Sequence, residues 1–143
     1  MKVLIDTDVI LDFLYEREGY YANAVNIFTL IENNKFKAYV SSLIIWNLFY
    51  LLSKYLGSKE ARKKIKAFRS IINIIPIDGD IIDLALNSNI KDFEDSIQYF
   101  ASVRGGIDII VTRNKKDYPK GTIPIMTPAE FLKTIDTCHT DFK

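Results

Sequence analysis

The side chains able to do chemistry are nearly all carboxylates. Asp6 directly follows the apolar run Val3-Leu4-Ile5. A carboxylate at the end of a buried strand is costly unless a cation or several hydrogen-bond donors offset its desolvation. It reads either as a ligand for such a cation or as a strand-end group bonding the amides of the next helix. Asp8 is better placed to cap that helix, with a supporting role beside Asp6 as the lesser option. Asp92, Glu94 and Asp95 crowd four consecutive positions. Asp92 suits an N-cap, and acids in a first turn complement the helix dipole. Three acids so close still repel one another, and a cation would relieve that repulsion. Asp117 lies in the charged stretch Thr112-Arg-Asn-Lys-Lys-Asp-Tyr118. Asn47 is the one polar residue in Leu43-Ile-Ile-Trp-Asn-Leu-Phe-Tyr-Leu-Leu52. It either satisfies a neighbouring loop or points into a polar cleft. Oxygen donors without His or Cys suit Mg²⁺ or Mn²⁺. Such ions serve phosphoryl chemistry.

Other chemistries are thinly supplied. The chain has one cysteine, Cys138, and one histidine, His139. That excludes an intramolecular disulfide framework and a cysteine zinc knuckle, and leaves any triad or His-ligated zinc resting on the last few residues.

The elements that must position these groups alternate between strand and helix. Strands are expected at Lys2 to Ile5, Lys37 to Val40, Ile74 to Ile77, Ile107 to Val111 and Thr122 to Met126. The last belongs at an edge because Pro124 cannot donate to a ladder. Helical spacing marks Asp8 to Leu14 and Tyr20 to Ile31. Ser41 or Ser42 caps Leu43 to Leu56, which Gly57 ends, and Ser58 caps Lys59 to Ile72. Asp78 or Asp80 opens a helix to about Ser88, and Asp92 opens another to Arg104. On the latter, Asp95, Tyr99 and Ser102 share one face, and Phe93, Ile97, Phe100 and Ala101 the apolar one. Thr127-Pro128 starts a last helix. The pattern implies an α/β fold, a five-stranded parallel sheet covered on both faces. Residues 1–135 form one domain, and 136–143 read as a loose tail. In such sheets ligands gather beyond the carboxyl ends of the strands. Asp6, Thr112, Arg113 and Asn114 belong at that edge, as do the helix starts near Leu43 and Asp92.

Net charge is +1 over 143 residues, which rules out a uniformly basic nucleic-acid-coating protein. Locally the balance differs. From Lys54 to Arg69 there are seven bases against the single acid Glu60, including Arg62, Lys63 and Lys66. This segment is either a solvated helix or a grip on a polyanion. No apolar run is long enough to span a membrane and the N-terminus does not read as a signal peptide, so a cytoplasmic protein is expected.

Taken in order and spacing, several segments resemble the PIN-domain family of metal-dependent ribonucleases over nearly the whole chain. They are Val3-Leu-Ile-Asp6-Thr-Asp8-Val-Ile-Leu11, Tyr39-Val-Ser-Ser42, Asp92-Phe-Glu-Asp95-Ser-Ile-Gln-Tyr99, Ile110-Val-Thr112-Arg-Asn-Lys-Lys-Asp117-Tyr118 and Pro124-Ile-Met-Thr-Pro-Ala-Glu-Phe-Leu132. The resemblance implies a three-layer α/β/α fold with strand order 3-2-1-4-5. It implies Mg²⁺ or Mn²⁺ held by Asp6 and Asp95, with Glu94 as an extra carboxylate. The fourth family position falls at Asn114 or at Asp117. The second family acid, usually Glu, is replaced by Asn47, as in a branch sharing the Asp-Phe-Glu-Asp segment. Catalytic roles then fall to Asp6, Asp95, Glu94, Asp117 and Asn47. Substrate-binding roles fall to Arg113, Asn114, Arg62, Lys63 and Lys66. Many small members are VapC-like toxins that cut RNA and are silenced by a cognate antitoxin, often as dimers. RNA, an antitoxin and a second copy are therefore the expected partners, with no membrane. Two alternatives stand beside this: a non-catalytic module of the same fold binding RNA or protein, and a haloacid-dehalogenase-like phosphohydrolase, suggested by Asp6-Thr-Asp8.

Overall fold

The computed structural model describes the backbone of residues 1–140 and the side chains of 1–136. Its strands are β1 (Lys2–Ile5), β2 (Lys37–Ser41), β3 (Asn73–Ile75), β4 (Ile109–Val111) and β5 (Ile125–Met126). All neighbours pair in parallel, in the order β3-β2-β1-β4-β5. This is the expected sheet. Parallel strands need covered faces, and alternate residues of β1 serve opposite ones. Val3 and Ile5 pack with α1 (Thr7–Leu14), α2 (Tyr21–Glu32), α3 (Ser42–Arg69) and α6 (Pro128–Thr140). Leu4 packs the other way, with α4 (Gly79–Leu86) and α5 (Phe93–Arg104). The result is three layers with two cores.

Three of the helix starts have a local cause in a side-chain cap. The Ser41 hydroxyl accepts from the Ile44 amide at 3.4 Å, the Asp78 carboxylate from Ile81 at 3.1 Å and the Asp92 carboxylate from Asp95 at 2.9 Å. Gly57 ends the first half of α3, as expected: its φ of +81° and ψ of 163° are non-helical, so α3 is two helices that meet across a kink there.

Three expectations change. Asp6, not Asp8, occupies the N-cap of α1, because β1 ends one residue before it and its carboxylate takes the Thr7 amide at 2.7 Å. On α5 the buried residues are Ser96, Ile97, Gln98, Ala101 and Ser102, while Phe93 is exposed. The polar members tolerate burial because each is bonded: the Ser102 hydroxyl donates to the Gln98 carbonyl at 2.7 Å. The expected tail from Asp136 is helical to Thr140, since α6, anchored by buried Phe131 and Ile135, simply continues. Residues 141–143 of that tail lie outside the described residues, as do the side chains of Cys138 and His139.

No helix among the described residues is long and apolar enough to cross a membrane.

Candidate metal and nucleic-acid site

The site forms where β1 and β4 end side by side. Ile5 pairs with Val111, and the Asp6 amide donates to the Val111 carbonyl at 3.0 Å. That places Asp6 and Thr112 together at the central strand's carboxyl end. β1 sits between strands whose connections leave in opposite directions, which opens a crevice there.

Asp6 is buried and accepts four hydrogen bonds. One oxygen takes the Thr7 amide at 2.7 Å and the Gln98 side-chain amide at 3.1 Å. The other takes the Thr112 hydroxyl at 2.9 Å and the Tyr118 hydroxyl at 3.0 Å. Burial pushes its pKa up, and these donors pull against that. Tyr118, itself buried beside this carboxylate, is raised well above the usual phenol value by burial and by the Asp6 charge.

Asp8 lies one step along α1. One of its oxygens takes the Arg113 backbone amide at 3.1 Å. The other is buried with no hydrogen-bond partner. Burial, then the charge of Asp6, raises its pKa to about 6.

The first turn of α5 supplies the opposing acids. Asp95 is raised to about 7, first by burial and then by the charges of Asp6, Asp92, Asp117 and Glu94. Glu94 is raised by burial and by Asp6, while the Asn47 amide, donating at 2.9 Å, pulls it back. Asn47 therefore neither caps a loop nor stands free; it holds Glu94 from across the crevice. Asp117 sits exposed in a 3₁₀ turn, Lys115–Asp117, and is felt by Asp95 as a charge.

The structure thus brings Asp6, Asp8, Glu94, Asp95 and Asn47 to one edge. The Arg113 guanidinium lies beside this edge, where its charge works to lower the pKa of Asp8. That group forks onto Asp12, Nε at 2.8 Å and Nη2 at 3.1 Å, and lies 3.9 Å from the centre of the Tyr20 ring. Asp12 is 1% exposed and also meets Arg17 at 3.5 Å. A buried carboxylate needs such partners, so Asp12 fixes the orientation of this arginine. Asn114 is exposed and contributes its backbone amide to the Thr112 hydroxyl at 3.1 Å. Arg62, Lys63 and Lys66 are exposed on the second half of α3.

Gln98, Tyr118 and Asp12 carry the site's geometry yet do not stand out in the sequence. A glutamine amid a helix and an aspartate amid apolar residues look like surface positions. Only the Asp117-Tyr118 pair in the quoted motif hinted at the phenol.

The donor set, all hard oxygen, with a partnerless carboxylate oxygen on Asp8 and mutual repulsion at Asp95, suits a divalent cation. Among the described residues no three such side chains yet stand close enough to hold one.

Known proteins share this plan. A family model described as PIN domain matches residues 2–116. Ribonuclease VapC1 of Aquifex aeolicus (strain VF5) is 31% identical over 141 residues, covering 95% of this chain and 96% of its own. A toxin-antitoxin complex from Klebsiella pneumoniae superposes with a TM-score of 0.65 at 23% identity, over 88% of this chain and 97% of that one. DNA-bound VapBC from Salmonella typhimurium gives 0.65 at 16% identity, over 90% and 98%. VapC20 of Mycobacterium tuberculosis, a sarcin-ricin-loop-cleaving toxin, gives 0.59 at 14% identity, over 76% and 86%.

Proposed function

Because the chain belongs to the PIN-domain family, we propose that it is a divalent-metal-dependent endoribonuclease acting as the toxin of a toxin–antitoxin pair. The observation that carries this reading is the meeting of Asp6 from the end of β1 with Glu94 and Asp95 from α5, close enough for Asp6 to perturb both. The family assignment sets aside the dehalogenase-like alternative.

Asp6 and Asp95 are the residues that would hold Mg²⁺ or Mn²⁺, helped by Glu94 or Asp117. Bound there, such an ion lowers the pKa of a coordinated water and neutralises phosphate charge. The protein's own work is positional. Four donors fix the Asp6 carboxylate in one orientation. The Asn47 amide holds Glu94 and leaves its own carbonyl oxygen to orient water or substrate. Arg62, Lys63, Lys66 and Asn114 would hold the RNA backbone, supplying affinity and salt dependence rather than chemistry. A cognate antitoxin and a second copy of the chain are the protein partners this reading carries, in the cytoplasm.

The test is cleavage of a mixed RNA pool in Mg²⁺ or Mn²⁺, with EDTA as control. Asp6→Asn and Asp95→Asn should each lower the rate at least about a hundredfold, since a metal supplies several kcal/mol of transition-state stabilisation. Cleavage that survives both variants or EDTA overturns the reading. A second reading, a non-catalytic RNA- or protein-binding module, is favoured by one observation: the Asn47 amide, at the position that the resemblance gives to a family acid, is engaged by Glu94. Retained RNA binding with no cleavage at any metal concentration would select it.

A further inference from the structure

α3 begins at the carboxyl edge of the sheet and carries an unusual exposed surface. Trp46 is 67% exposed and Tyr50 is 51% exposed. Four residues apart, they lie one above the other on one face of the helix. Asn47, which reaches Glu94 in the metal site, lies between them in sequence and one turn from Tyr50. The Lys54 ammonium, one turn further, stands 4.3 Å from the centre of the Tyr50 ring. No acid occurs between Ser42 and Lys59. Beyond the Gly57 bend the exposed bases Lys59, Arg62, Lys63 and Lys66 follow. Aromatic rings in water are costly unless something covers them, and the lysine-rich continuation selects a polyanion with flat apolar faces.

We infer that Trp46 and Tyr50 form a stacking platform for unpaired bases of an RNA strand whose phosphates run along Lys54 and the basic half of α3. This deepens the ribonuclease reading and rests on it. Four helical residues rise about 6 Å, whereas stacked bases sit about 3.4 Å apart. Bases seated on both rings are therefore splayed from one another, which a duplex does not permit. The platform selects single-stranded segments and delivers the strand to the side of the crevice that Asn47 and Glu94 share.

Trp46 is the chain's only tryptophan, so its fluorescence reports the site directly. The wild-type protein would be titrated with a short oligouridine and with the matching duplex. Runs in EDTA would be paired with stopped-flow runs in Mg²⁺ that precede turnover. Saturable quenching by the single strand alone is expected. By anisotropy of the labelled strand, Trp46→Ala and Tyr50→Ala should each bind roughly tenfold more weakly, the scale of one base–aromatic stack, and Trp46→Phe should recover most of the loss. Cleavage of RNA without quenching, or unchanged affinity in Trp46→Ala, overturns the platform and leaves the ribonuclease reading standing. Emission that shifts with protein concentration in the absence of RNA overturns it in favour of a contact between copies. Quenching without cleavage keeps the platform as an RNA-binding site and removes the nuclease. Neither binding nor cleavage removes both.

Discussion

The Gln98 side chain donates to Asp6 at 3.1 Å and accepts from the Ser41 hydroxyl at 3.0 Å, so one fully buried amide ties the end of β1 to the N-cap of α3. Removing it leaves two buried polar groups short of a partner. Gln98→Ala should destabilise the protein by about 2–4 kcal/mol, from unsatisfied groups plus the cavity. Gln98→Glu keeps the shape but sets a second carboxylate against Asp6. Its loss should be larger at neutral than at acid pH. Urea unfolding of both variants checks this, and equal losses at the two pH values would refute the electrostatic part.

Asp95 and Asp8 should make the metal-free protein more stable in mild acid than at neutrality. Their folded pKa values, about 7 and about 6, lie above the ordinary 3.8, so the folded state binds more protons than the unfolded state in between. Stability then falls as pH rises from about 4 to about 7. Thermal unfolding in EDTA should show that decline, and Mg²⁺ should flatten it by compensating the same charges.

Asn47→Asp replaces a donor to Glu94 with a like charge. The metal-free variant should unfold at a lower temperature at neutral pH. Its Mg²⁺ affinity should rise about tenfold, as affinity in oxygen-ligand sites grows with ligand charge. Glu94→Gln should move affinity the opposite way. Isothermal titration of both variants tests the claim that this pair sets the charge of the site.

Asp12→Ala should cost about 3–5 kcal/mol, because it strands the half-buried Arg113 guanidinium. With Asp12 in place, Arg113→Lys should also destabilise, since an ammonium cannot reproduce the two-point fork. If Arg113 is structural, removing it should leave the salt dependence of RNA binding unchanged. Lys63→Ala should instead lower that slope by about one ion.

Much of the fold is legible in the chain because the rules that fix it are local. Val3-Leu4-Ile5 and Ile109-Ile110-Val111 are apolar on both faces, as central parallel strands must be. Ser41, Asp78 and Asp92 are capping residues at the starts of helical patterns. The gathering of these acids at one edge is legible too, because Asp6 follows a buried strand and Glu94 and Asp95 crowd one turn. What is not legible depends on contacts across the sheet. Asp6 rather than Asp8 caps α1 because of where β1 stops. Arg113 is held by a fork onto Asp12, which lies far earlier in the chain and is buried against it. Gln98 looks like any helical glutamine until β1 and Ser41 come to meet it.

The three side-chain donors to Asp6 come from positions 92, 106 and 112 residues further along the chain. Synthesis proceeds at roughly 5–20 residues per second, N-terminus first. The nascent chain thus carries its leading carboxylate for several seconds before α5 and the β4 loop emerge to orient it. A molecule still being made on its ribosome has the acid without the frame, and gains its working geometry only near the end of translation.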